Sequence, residues 1–223
     1  MRTKPHTIFF DVGSTLLFAN RQKMLAPLHE HGHRPEEDRL RALEAHVKNE
    51  FDARMEDGGK PDHGFWDMFY QRLFQELGLQ DEPLRQKVIA NTRDSLNWDQ
   101  IRPGTRESLQ RLGKSYPLAV ISNADGRIAE LLTTCGLADC FRTITDSGIV
   151  GHEKPHPVIF ATALGSMQAR PEESLYVGDV YSVDYRGAKG AGMDAVLFDV
   201  CGAYREKALP RVEFLSELEE MLL

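Results

Sequence analysis

The chain has 223 residues, 41% of them hydrophobic and 27% charged, and a formal net charge of −7. That length exceeds a typical single domain but cannot hold two separate enzymes, so one core domain with a smaller inserted domain is the expected plan. The composition is that of an ordinary globular protein and excludes a disordered or fibrous chain, while the negative balance opposes non-specific attraction to nucleic acid or anionic lipid.

The stretch before Ile8-Phe9-Phe10 carries Arg2, Lys4 and His6, and this apolar run is far too short for a secretory signal. No apolar stretch approaches the roughly 20 residues that span a bilayer, so no membrane role and a cytoplasmic address are expected. Cys135, Cys140 and Cys201 form an odd set without a CxxC pair, which reads as reduced thiols.

Thr7 to Phe10 is an apolar run ending at Asp11, the pattern of a buried strand whose last residue emerges at the carboxyl edge of a sheet. From about Asn20 to Trp98 the period changes to helical, as in Leu40-Leu43-Val47-Phe51 and Phe65-Phe69-Leu73-Leu77. This predicts an all-helical cap domain over residues 20–98, of about four helices, inserted into a core of residues 1–19 and 99–223. Gly58-Gly59-Lys60-Pro61 breaks the insertion and Gly78 closes one helix. The chain returns to the core near Arg102-Pro103-Gly104, so two crossings at one place make a hinge.

Beyond the hinge, strands at Leu118–Ile121, Leu175–Val177 and Ala195–Phe198 alternate with helices at Thr105–Leu112, Ile128–Cys135, Pro157–Leu164 and Tyr181–Ala191. Such alternation predicts an α/β fold, a parallel sheet with helices on both faces, whose ligand sits beyond the carboxyl ends of the strands. Polar residues fall there: Asp11, Ser122 with Asn123, and Asp179, joined by Lys154 and Asp184. Taken singly each is an ordinary turn, surface or cap residue. Together they offer carboxylates, a hydroxyl and a cation at one edge.

In order, the segments Phe10-Asp11-Val12-Gly13-Ser14-Thr15-Leu16, Ile121-Ser122-Asn123, Lys154-Pro155 and Gly178-Asp179-Val180-Tyr181-Ser182-Val183-Asp184 resemble the four motifs of the haloacid dehalogenase-like hydrolases. The resemblance covers the whole chain and implies a Rossmann-like core, with the helical insertion where the family places its first type of cap. It also implies a phosphatase acting on a small phosphorylated metabolite, with Asp11 as nucleophile and an aspartyl-phosphate intermediate. Mg²⁺ is the implied cofactor, held by Asp11, Asp179, the Gly13 carbonyl and, through a more distant orienting role, Asp184. Ser122, Asn123 and Lys154 would bind the phosphoryl group. Like charges at about 4 Å repel by about 4 kcal/mol per pair at an effective dielectric near 20, so carboxylates facing a phosphate require such a cation.

One position departs from the pattern. Family phosphatases carry a second Asp two residues after the nucleophile as general acid, and here Gly13 stands there. Losing such an acid costs a typical 10²–10⁴-fold, about 3–5 kcal/mol. Substrates with good leaving groups, a substitute acid such as Asp125, His152 or a cap residue, or a weakly catalytic binding or regulatory role all remain open. Two alternatives are a 2-haloacid dehalogenase, whose nucleophile needs no second Asp, and a phosphonatase-like hydrolase, which relies on a cap lysine. No sequence feature marks Lys23, Lys48 or Lys60 for that task.

Other features read more simply. His29-Glu30-His31-Gly32-His33 reads as a helix end, the Phe65-Trp66-Phe69-Tyr70 cluster as core that could line a pocket, and Glu217, Glu219 and Glu220 as a solvated helix face. Trp98 sits beside the hinge, able to pack against either domain.

Overall fold

The computed structural model describes residues 4–56 and 64–223, so the Gly58–Pro61 break, with Lys60, lies outside the described residues. Alternation along the first strand, β1 (Thr7–Phe10), splits the core into two layers. Ile8 and Phe10 join one apolar cluster, whereas Phe9 joins another. The same division runs through β4 (Leu118–Ser122), where Leu118 and Val120 face one way and Ala119 and Ile121 the other. With both faces covered, these strands can be apolar throughout.

Four further strands complete the main sheet: β5 (Thr143–Asp146), β6 (Ser174–Gly178), β7 (Asp194–Phe198) and β8 (Arg211–Val212). The order is β5-β4-β1-β6-β7-β8, and every neighbouring pair runs parallel. Helices α6 (Thr105–Ser115), α7 (Ile128–Thr134) and α11 (Leu215–Leu222) cover the face of Ile8 and Phe10. Helices α9 (Pro157–Met167) and α10 (Arg186–Gly190) cover the other. The α/β reading therefore stands, with a helical insertion. Edge strand β5 escaped the sequence reading because Thr143-Ile144-Thr145-Asp146 is neither apolar throughout nor strictly alternating.

The helix expected over Tyr181–Ala191 is instead a single π-helical turn, Tyr181–Tyr185, followed by α10. π turns concentrate where a side chain must be re-aimed, and this one carries Asp184.

Among the described residues the insertion contains two short helices, α1 (Arg21–Met24) and α2 (Ala26–Glu30), and three long ones, α3 (Glu37–Glu56), α4 (Gly64–Glu76) and α5 (Glu82–Arg93). Leu40, Leu43, Val47 and Phe51 form the buried stripe of α3 against Phe69, Leu73 and Val88. After α4, Gly78 adopts φ 68° and the Leu79 N–H returns to the Phe74 carbonyl, so the predicted stop is real. Gly32, φ 82°, likewise ends the histidine-rich segment as a helix terminus.

Strands β2 (Leu17–Phe18) and β3 (Gln100–Ile101), where the chain leaves and re-enters the core, pair antiparallel through Leu17↔Ile101 and Phe18↔Gln100. The Asn20 N–H extends this ribbon to the Asn97 carbonyl at 2.8 Å. Among the described residues no helix is long and apolar enough to cross a membrane. The acidic tail is not wholly solvated: Glu219 accepts two hydrogen bonds from Arg111, at 2.5 and 2.9 Å.

Candidate active site

Asp11 leaves the end of β1 with its own N–H still on the β6 ladder, bonded to the Val177 carbonyl at 2.8 Å. The chain then turns sharply: the Val12 carbonyl accepts from both Leu16 and Leu17 N–H at 2.9 Å, with Ser14 at φ 55°. That turn holds Gly13 and Ser14 in the wall of a cavity of about 390 Å³ that also takes in Asp11, Ser122, Asn123 and Lys154. Ser122 is the last residue of β4, the neighbour of β1, so the sheet itself brings Ser122 and Asp11 to the same cavity.

Lys154 reaches in from the loop after α8 (Ser147–Val150). Its Nζ donates to Asp11 Oδ1 at 2.7 Å, Asp184 Oδ1 at 2.8 Å and the Tyr176 hydroxyl at 2.7 Å, which satisfies all three ammonium donors. Asn123 locks that loop: its Nδ2 donates to the Lys154 carbonyl at 3.0 Å, and its Oδ1 accepts the Lys154 N–H at 2.7 Å. Burial opposes the charge on Lys154, but Asp11 and Asp184 outweigh it and hold the ammonium protonated above its ordinary range.

Asp179 and Asp184 follow β6. Asp184 Oδ2 accepts the N–H groups of Asp179 and Val180 at 3.1 and 2.9 Å, while its Oδ1 accepts from Lys154 and from Tyr176 at 3.1 Å. Both oxygens are thus engaged in fixing the loop. Gly178 makes the approach possible, because a Cβ there would stand 2.6 Å from the Asp184 Cγ. Asp11, Asp179 and Asp184 each bring a carboxylate oxygen within 4.8 Å of the others. Burial, partly offset by Lys154 and reinforced by the two other carboxylates, pushes Asp11 up to about 7. Burial likewise dominates at Asp179 and, against Lys48, raises it to about 6.

Sequence reasoning missed Lys48. Its Nζ, carried by α3 of the insertion, donates to Asp179 Oδ2 at 2.6 Å and lies 3.6 Å from Glu44. Four residues on, Asp52 Oδ1 accepts the Ser182 N–H at 2.9 Å. Glu44, Lys48 and Asp52 are all buried and recur every fourth residue, a charged stripe beside the apolar one. That spacing was the available signal, and it resembles a solvated face. Lys23, by contrast, pairs with Asp99 at 2.5 Å away from the cavity.

Of the substitute acids, Asp125 and His152 fare poorly. Burial pushes the Asp125 carboxyl up, but hydrogen bonds from Arg127 and Ser95 outweigh it and hold the group at about 2, too acidic to carry a proton near neutrality. His152 is exposed and stacks on His156 at 4.2 Å. The aromatic cluster divides: Phe69 and Tyr70 are fully buried core, whereas Phe65 and Trp66 line the cavity beside Trp98.

A model of the haloacid dehalogenase-like hydrolases matches residues 5–192. The chain is 29% identical over 172 residues to haloacid dehalogenase-like hydrolase domain-containing protein 3 of Bos taurus, covering 74% of this chain and 68% of that protein. It is 32% identical over 161 residues to a glyceraldehyde 3-phosphate phosphatase of Pyrococcus furiosus, covering 69% and 67%. The chain thus spans about two thirds of the length of these relatives. A magnesium-bound HAD-hydrolase of Bacillus subtilis shares the fold, with TM-score 0.74, 21% identity and 99% of each chain covered. Motif order, sheet topology and a match running through most of the sequence agree: the chain belongs to the haloacid dehalogenase-like hydrolase family.

Proposed function

We propose that the protein is a Mg²⁺-dependent phosphatase of a small phosphorylated substrate, with Asp11 as the nucleophile. The observation that carries this reading is the convergence on one cavity of Asp11, Asp179 and Asp184 with Lys154 bonded to two of them. The donor set suits a hard cation: the carboxylates of Asp11 and Asp179, both raised by burial and by neighbouring carboxylates, lie within reach of each other and of Asp184. Asp11, Asp179 and the Gly13 carbonyl would hold Mg²⁺, with Asp184 orienting from behind. The bound ion would offset the charge of carboxylates and phosphoryl group together.

The chain's own residues do the rest. Lys154 aims Asp11 and favours its ionised form against burial, and with Ser122 it would grip the phosphoryl oxygens while Asn123 holds the Lys154 loop in place. A carboxylate oxygen of Asp11 bonds to phosphorus as the ester oxygen leaves, giving an aspartyl phosphate that water then cleaves. With Gly13 in the general acid's place and Asp125 held ionised, the departing oxygen takes its proton from solvent.

Incubating the protein with phenyl phosphate tests the reading. Phosphate release is expected from the wild type with Mg²⁺, and neither from the chelated sample nor from Asp11→Asn. Equal release from all three refutes it.

Lys48 favours a second reading, cleavage of a carbonyl-bearing phosphonate through a Schiff base, because a cap lysine does reach the site. The same contact opposes it. An ammonium held by Asp179 and raised by it is not a free amine. Borohydride trapping of phosphonoacetaldehyde on the wild type but not on Lys48→Met would favour this reading over the phosphatase.

A further inference from the structure

Gly13 does more than remove an acid. The Trp98 ring occupies the space beside it, with ring carbons 3.5 to 4.0 Å from where a Gly13 Cβ would stand. A longer side chain at residue 13 would meet the indole. The ring is held in place, since its Nε1 donates to the Thr92 carbonyl at 2.8 Å and it makes an edge-type contact with Trp66 at 5.4 Å between centroids. Trp66 packs on Phe65 at 4.8 Å, and Phe65 on Phe51 at 5.9 Å, all four rings lining the cavity that holds Asp11.

The phosphoryl-binding groups take one part of this cavity, so the leaving group must occupy the remainder. Three charged side chains in that wall already have partners: Glu44 with Arg21 at 3.0 Å, Arg93 with Asp67 at 2.7 Å, and Asp125 with Ser95 at 2.6 Å. A polyhydroxylated leaving group would have to compete for them, whereas a flat apolar one meets ring faces and edges.

We infer that this site takes phosphate monoesters of aromatic alcohols, with Trp98 and Trp66 as the platform for the leaving ring. The inference rests on the phosphatase reading and gives it a substrate class. Chemistry and shape agree here. Asp11 bonds to phosphorus, the P–O bond to the ring breaks, and its electron pair stays on oxygen as a phenolate. A phenol has a pKa of about 10, so its anion departs without a positioned acid far more readily than an alkoxide. Water then releases phosphate from Asp11 and restores the carboxylate. The residue that cannot protonate a leaving group is thus the one that makes room for a ring to receive it. The triose phosphate in the Pyrococcus furiosus relative's name would be a poor fit on both counts.

The test compares kcat/KM with Mg²⁺ for 1-naphthyl phosphate, phenyl phosphate and glyceraldehyde 3-phosphate, in the wild type, Trp98→Ala and Trp66→Ala. The two aryl esters have leaving groups of similar acidity and differ in ring area. We expect 1-naphthyl phosphate to lead phenyl phosphate about tenfold, the worth of roughly one aromatic contact, and to lead the triose by more. That ratio should fall toward one in either variant. Triose preference, or an unchanged ratio in both variants, overturns the subsite. If no ester is cleaved, the phosphatase reading fails by itself and binding decides the subsite. Calorimetry would then compare 1-naphthylmethylphosphonate with methylphosphonate on the wild-type protein. Tighter binding of the naphthyl compound upholds the platform, and equal binding removes it. Should Trp98→Ala not fold, Trp66→Ala carries both measurements.

Discussion

Lys48 of the helical insertion and Asp179 of the sheet core form a buried ion pair, with 2.6 Å between Nζ and Oδ2. Removing one partner of such a pair strands the other charge, at a cost of about 3–5 kcal/mol. Lys48→Met should therefore lower the thermal stability of the metal-free protein markedly. A divalent cation competes with this ammonium for Asp179, so Mg²⁺ should raise the melting temperature of the variant more than that of the wild type. Melting curves with and without Mg²⁺ check both statements, and an equal Mg²⁺ effect on the two proteins would contradict the competition.

Lys154→Met removes the ammonium that bonds Asp11, Asp184 and Tyr176 together. Loss of at least about 10²-fold in kcat is expected, in line with removing an electrostatic stabiliser of charge at a reacting centre. Steady-state kinetics on an aryl phosphate would measure it.

Gly178→Ala forces a methyl group to within 2.6 Å of the Asp184 Cγ and 2.8 Å of the Tyr176 ring. Both neighbours are buried, so relief requires moving Asp184 off its bonds to the Asp179 and Val180 N–H groups. Destabilisation of about 1–3 kcal/mol and a fall in Mg²⁺ affinity should appear together in unfolding and titration experiments.

Acidity should act on the metal-free protein in an unusual direction. Burial raises Asp11 to about 7 and Asp179 to about 6, above an unfolded value near 4. Each therefore contributes stability that is full below about pH 4 and is lost as pH rises through the folded value. The depressed carboxyls Asp99 and Asp125, at about 2, lose their contribution only below about pH 4. Between pH 5 and 8 the raised pair dominates, so the metal-free protein should melt higher at about pH 5 than at about pH 8, and Asp11→Asn should shrink that difference. Activity should run the other way, falling below about pH 7 at low Mg²⁺ as Asp11 gains a proton, with the midpoint moving down at saturating Mg²⁺.

Restoring the missing acid is not a single change. Gly13→Ala fits, because its Cβ would make ordinary contact at 3.5 Å with Trp98, whereas a carboxyl at residue 13 would have to share its space with the indole. Gly13→Asp alone should gain little on alkyl phosphates. The pair Gly13→Asp with Trp98→Ala should raise alkyl relative to aryl turnover, as assays on hexyl and phenyl phosphate would report.

What the residues declared in advance was whatever the strands aim. Asp11, Ser122 and Asp179 stand at or just past the ends of β1, β4 and β6, and a hydrophobic run followed by a polar residue announces such a position. Lys48 was hidden for the opposite reason. Its place depends on how a separate helical layer sits over the sheet, and a lysine four residues from Glu44 reads equally well as a solvated pair. The fate of Asp125 was only half legible: Arg127 stands two residues on, but Ser95, which also holds it ionised, meets it only in the folded chain. Trp98 announced its position beside the hinge but not its ring above Gly13.

The ribbon of β2 and β3 gives the molecule a mechanical character that independent linkers would not. Because the outgoing and returning strands are bonded to each other at Leu17 and Ile101, neither can slide past its partner without breaking the ladder. Any movement of the helical layer would then be a rocking about this double strap. Such a strap disfavours lateral drift and would keep Lys48 aligned with the same carboxylate.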